Sequence, residues 1–242
     1  MGLPVLGEEP TIYIFKRPIM TYILLGVNTL VFIILSIIFY EDYDIAIYML
    51  GTRPYDLFNP PTFYRVFTSM FVHADILHLF GNMLFLFMFG RDIEKLMGAT
   101  KFFIFYILAG IIAAIFNALS IYLLPQTYLL SKSLAGPLVY DIPAVGASGA
   151  ISGILGAYLI LFPRSRVATF IGFIPVIMTS EVFITLWFIY QLFGGLLFFN
   201  SGIAFWAHIG GFIGGLALMP FFIDEKRLRI IKKLTRYVYP WF

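Results

Sequence analysis

Residues 145–162 read Val145-Gly146-Ala147-Ser148-Gly149-Ala150-Ile151-Ser152-Gly153-Ile154-Leu155-Gly156-Ala157-Tyr158-Leu159-Ile160-Leu161-Phe162, without a single charge. A helix needs about 20 apolar residues to cross roughly 30 Å of hydrocarbon, and this run is read as one crossing. Its small residues are placed for close helix packing, since Gly149 and Gly153 repeat at four-residue spacing. The same spacing returns at Gly211 and Gly215, just after His208. These pairs serve either packing within the chain or dimerisation, and spacing alone leaves both open.

The rest of the chain is consistent with a lipid solvent. Hydrophobic residues make up 61% of the 242 and charged residues 12%, about half the charged share of a soluble domain. Such a chain has too little polar surface to cover itself in water. The absence of Cys rules out disulfides, thiolate metal sites and a cysteine nucleophile. Met1–Pro18 lacks the basic start and small-residue cleavage site of a secretory signal, so the first apolar stretch is expected to stay in the mature protein.

Further apolar stretches run from about Met20 to Tyr40, Val66 to Phe89, Lys101 to Leu124, Ser180 to Phe199 and Ala204 to Ile223. Val167–Met178 carries Gly172 and Pro175 and is expected to be interfacial or re-entrant. The expected fold is an all-α membrane protein with six spans and a long loop from Glu41 to Tyr64. Residues 1–19 form an N-terminal segment, 20–223 one membrane domain, and 224–242 a basic tail ending in Tyr239-Pro240-Trp241-Phe242. Six spans put both termini on one side, where 13 of the 16 Lys and Arg then fall; only Arg53, Arg65 and Lys132 lie opposite. The positive-inside rule makes that side the cytoplasm, as expected for a multi-pass protein of the cell membrane.

With that orientation, His73, His78 and Asn82 lie at the outer end of the second span, Ser148 early in the fourth and His208 early in the sixth. These three His are the only ones in the chain. Strongly polar side chains at membrane depth are costly and mark function. His78 and Asn82, four apart, project from one helix face. A serine hydroxyl on one close-packed helix then comes within reach of an imidazole on another.

Gly146-Ala147-Ser148-Gly149-Ala150, followed by Ala207-His208-Ile209-Gly210-Gly211, resembles the signature of rhomboid proteases. His73-Ala74-Asp75-Ile76-Leu77-His78 with Asn82 resembles that family's His-x4-His-x3-Asn element. Two positions differ from the family pattern: Tyr64 stands where many members have Trp, and Ser152 where several bacterial members place a Tyr beneath the histidine. The resemblance implies an intramembrane serine endopeptidase with Ser148 as nucleophile and His208 as base. The Ser148 backbone N–H, His78 and Asn82 would form the oxyanion hole, with His73, Gly146 and Gly149 as candidate supporting residues.

The residues are compatible with that chemistry. Of the carboxylates inside the apolar stretches, Glu181 is far from the outer end, and Asp75, on the outer side, has no such role in the family motif, so a Ser-His dyad is expected in place of a triad. No Gly-x-Ser-x-Gly elbow occurs, because Ala150 sits where its last Gly belongs. The reading calls for no cofactor, metal or nucleic acid; its partners are transmembrane protein substrates and the bilayer. Three other readings compete. A metalloprotease or metal transporter would use His73, His78 and His208, but no His-Glu-x-x-His motif occurs. A catalytically inactive relative would usually lack Ser148 or His208. A secondary transporter would show paired broken helices in two halves, which are not seen.

Overall fold

The computed structural model describes residues 17–123, 142–171, 173–197 and 202–223. Lys132 with the rest of residues 124–141, the basic tail and the segment before Arg17 lie outside the described residues. Among the described residues, five helices are long and apolar enough to cross a membrane. They are α1 (Ile19–Ile38), α4 (Ile76–Met97), α5 (Ala99–Leu123), α7 (Ser180–Leu197) and α8 (Phe205–Phe222). Between α1 and α4 lie two short helices, α2 (Asp44–Leu50) and α3 (Arg65–Thr68), with 3-10 turns at Pro54–Leu57 and Pro60–Thr62. The helix at the fourth expected crossing, α6 (Ser148–Leu161), has only 14 residues.

α6 is the centre of the molecule. Every residue from Gly149 to Tyr158 is buried, as expected for a helix apolar on all sides. The glycine pairs work within the chain, which settles the choice left open by their spacing. A Cβ at Gly211 would run into the Gly149 carbonyl oxygen, and one at Gly215 into the Gly153 carbonyl. On its other flank α6 meets α5, where Gly149 faces Ala113 and Gly153 faces Ala109. Helices pack backbone to backbone here because nothing larger than hydrogen stands between them.

α4 differs from expectation at both ends. It starts at Ile76, not near Val66, and it continues past Phe89 through a π-helical turn at Leu86–Gly90 to Met97. Gly98 ends it with φ 83°, a conformation that costs glycine nothing. The extension brings Asp92 and Glu94 into a membrane-length helix, so Glu181 is not the only carboxylate there. Glu94 is fully buried and caps α1: it accepts from the Met20 N–H at 2.7 Å, the Thr21 N–H at 2.6 Å and the Thr21 hydroxyl at 2.7 Å. These N–H groups would otherwise be unpaired at a helix start. Glu94→Ala is expected to lower stability by about 1–3 kcal/mol, read as a reduced Tm in detergent.

The fold is also not all-α. Val167–Met178, expected to be interfacial or re-entrant, lies in a β-hairpin of β1 (Arg166–Ile171) and β2 (Ile174–Thr179), with Arg166 opposite Thr179 and Phe170 opposite Pro175. β-branched residues, which favour the pleated conformation, make up half of β1 and most of β2. Pro175 is tolerated because both strands of a two-stranded ribbon are edges. The hairpin base is tied to the end of α6: Ser180 donates through its hydroxyl to the Phe162 carbonyl, and Glu181 N–H donates to the Pro163 carbonyl at 3.0 Å.

Candidate active site

The approach to α6 is held before the helix begins. Thr52 and Ala144 exchange backbone hydrogen bonds at 3.0 and 2.8 Å, and the Gly146 N–H donates to the Ser69 carbonyl at 2.8 Å. Ser148 follows as the first residue of α6, with Ala147 as a cap that offers no side-chain acceptor. The first N–H groups of such a helix lack intrahelical partners and carry its positive dipole end. His208 sits in the first turn of α8. Across the glycine seam, Ser148 Oγ and His208 Nε2 are 2.8 Å apart.

The other ring nitrogen, Nδ1, is 2.8 Å from Gln191 Oε1 on α7. Trp187, one turn earlier on α7, lies beside the His208 ring with centroids 6.2 Å apart and planes at 35°. Ser152, where the family pattern often has Tyr, instead donates its hydroxyl back to the Ser148 carbonyl at 2.6 Å. Aromatic company for the imidazole therefore comes from α7 and not from α6.

His78 and Asn82 share a face of α4 and converge on Gly146. A Cβ there would lie 2.7 Å from His78 Nε2 and 3.5 Å from Asn82 Nδ2, and its φ is 119°. Only glycine allows both the approach and the backbone conformation. His78 Nδ1 accepts from the Ala74 N–H at 3.4 Å, which leaves the ring proton on Nε2, facing Gly146. The buried Asn82 Nδ2 has no hydrogen-bond partner among the described residues. Two donors thus point toward the backbone just ahead of Ser148. Asp75 caps α4 by accepting from the His78 N–H at 2.8 Å.

His73 lies in the segment before α4 and is fully buried. Its Nε2 accepts from the Ala147 N–H at 3.5 Å, and its ring meets His78 edge-on at 5.2 Å. Burial, with the His78 ring beside it, pushes the His73 imidazole down to about 4. It is therefore neutral at neutral pH and able to accept that bond. The Tyr43 hydroxyl fixes its backbone by donating to the His73 carbonyl at 2.9 Å. His73 is buried against the start of α6. No group of three or more His, Asp or Glu is placed to hold a metal ion among the described residues.

A family model described as the rhomboid domain matches residues 60–225, which takes in His73, His78, Asn82, Ser148, Gln191 and His208. The chain belongs to the rhomboid family. This rhomboid is 28% identical over 207 residues to "Rhomboid protease GluP" of Bacillus subtilis, covering 86% of the chain but 35% of that protein. It is 31% identical to "Rhomboid protease AarA" of Providencia stuartii, over 84% of the chain and 74% of that relative. It is also 31% identical to "Inactive rhomboid protein 1" of Danio rerio, over 72% of the chain and 18% of that protein. The chain thus spans about a third of GluP's length and three quarters of AarA's. Its relatives carry names of both proteases and an inactive protein.

All the residues singled out in the sequence of this rhomboid meet at one place: Ser148, His208, His78, Asn82, His73, Gly146 and Gly149 surround the start of α6. Gln191 and Trp187 were not among them. Their signal was a strongly polar amide in an apolar helix, four residues from a Trp and so on the same face.

Proposed function

We propose that this rhomboid is an intramembrane serine endopeptidase acting through a Ser148–His208 dyad. The observation that carries the reading is the 2.8 Å approach of His208 Nε2 to Ser148 Oγ at an uncapped helix start. As Ser148 Oγ bonds to a substrate carbonyl carbon, its proton passes to His208 Nε2. The tetrahedral oxyanion accepts hydrogen bonds from the Ser148 N–H, His78 Nε2–H and Asn82 Nδ2–H. Collapse breaks the C–N bond and His208 returns the proton to the leaving amine. Water, deprotonated by His208, then hydrolyses the acyl-enzyme and regenerates Ser148. His73 holds Ala147, and with it the start of α6, against His78.

In this reading α6 joins the five longer helices as the fourth of six crossings, shielded from lipid by its neighbours, in a single membrane domain spanning 20–223. With Leu161 at the inner boundary, its 14 residues rise about 21 Å. Ser148 then lies some ~10 Å below the outer edge of a hydrocarbon layer about 30 Å thick. A polar cavity opening to the outer face brings water to it, and both termini, including the basic 224–242 tail, lie in the cytoplasm of a cell-membrane protein. Substrates are transmembrane proteins whose helices unwind easily near that face, since a stable helix hides its amide bonds.

The test is cleavage of a single-span reporter by purified protein in liposomes, with and without chelator. Cleavage indifferent to chelator is expected, and Asn82→Ala is expected to reduce kcat by roughly 10²-fold, the effect of losing one oxyanion donor. Chelator-sensitive cleavage would move the assignment to a metal. Reporter binding without cleavage would place this chain with the inactive relative.

A further inference from the structure

We infer that Gln191 is the positioning residue for His208, a neutral third member that sets which ring nitrogen of the base is bare. The inference rests on the serine-protease reading above and adds to it a residue outside the dyad.

A histidine acts as base toward Ser148 only when Nε2 carries a lone pair, and the tautomer follows from the hydrogen bond made by the other nitrogen. Gln191 presents its carbonyl oxygen, 2.8 Å from Nδ1. An amide oxygen accepts and cannot donate, so Nδ1 holds the proton and Nε2 faces the Ser148 hydroxyl as acceptor. With the amide oxygen facing the ring as it does here, the opposite tautomer would put two lone pairs against each other at Gln191 and leave Nε2 unable to take the serine proton.

Gln191 is itself well fixed. It is 3% exposed, and α7 is pressed onto α8 on both sides of it. Phe188 stacks on Phe212 with centroids 4.4 Å apart, and Trp206 Nε1–H donates to the Gly195 carbonyl at 3.1 Å. Trp187, one turn before Gln191, limits rotation of the same ring from the side. The division of labour is clear. The glycine seam between α6 and α8 sets the Ser148–His208 distance, while α7 sets the orientation and tautomer of the imidazole. A carboxylate would serve as acceptor too, but buried charge is expensive at membrane depth. A carboxamide does the orienting without that cost, as the Asn of Cys-His-Asn sites does elsewhere.

The experiment uses full-length protein labelled with 15N-histidine, in which only three His contribute signals. His208 in the wild type is expected to show a protonated Nδ1 and a bare Nε2. In Gln191→Leu, and in Gln191→Met, which is closer in volume, that pattern is expected to be lost. kcat on the reporter should fall roughly 10²-fold, within the range of general-base catalysis, at unchanged KM. Gln191→Glu, which keeps an acceptor at the same reach, is expected to restore the tautomer and most of kcat. An unchanged His208 tautomer and kcat in folded Gln191→Met would overturn the inference. Because the tautomer is read without turnover, wild-type protein with the expected tautomer but no cleavage would count against the protease reading and support this one.

Discussion

Ser148→Ala is expected to lower kcat/KM for a single-span substrate by roughly 10⁴-fold or more, the scale seen when a serine hydrolase loses its nucleophile. The fold should persist, because the hydroxyl touches His208 and caps nothing in α6. Alanine also preserves the helix start and its N–H groups, so binding of an uncleaved substrate should survive. The comparison of cleavage and binding on the same preparation checks this: binding kept and cleavage lost is the expected pair. Cleavage that persists at even a tenth of wild type would mean that Ser148 is not the attacking atom.

Gly211→Ala is expected to have the next largest effect. Its new Cβ would occupy the place of the Gly149 carbonyl oxygen, a backbone atom with no rotamer to escape into. α6 and α8 must then separate, carrying Ser148 and His208 apart, and a misplacement of about 1 Å costs on the order of 10²-fold in rate. Strain from overpacking adds about 1–3 kcal/mol of destabilisation. Activity and Tm should therefore fall together, unlike Ser148→Ala, where only activity falls. Parallel thermal melts and reporter cleavage separate the two patterns; a Gly211→Ala protein with wild-type kcat would show that the seam does not set the dyad distance.

The seam explains why so much of the site was readable from sequence. Small residues at four-residue spacing mark two helix faces open to close contact, and Ser148 and His208 lie beside them; that the two faces meet each other within the chain came only from the structure. His78 and Asn82 were readable for a similar reason, since a four-residue step on one helix fixes a shared face. Gln191 was not, because its role depends on which face of α7 meets α8, and α7 has no glycine pattern through its first three turns to reveal it. The β-hairpin was missed because its apolar strands resemble a membrane segment in composition. The alternation of Val167, Thr169 and Ile171 is the better guide to the first strand. α4 runs longer than expected because charged residues follow Phe89, whereas Asp92 and Glu94 find partners within the fold. Lys95 pairs with Asp92 at 3.3 Å, and Glu94 caps α1.

The most direct test of the central claim is covalent trapping with a fluorophosphonate, followed by peptide mapping. Attack by an activated serine oxygen forms a P–O bond and expels fluoride. The account predicts one adduct, on Ser148, formed by folded wild-type protein and strongly slowed in His208→Ala. A folded, substrate-cleaving protein that yields no adduct, or carries it on another residue, would contradict it.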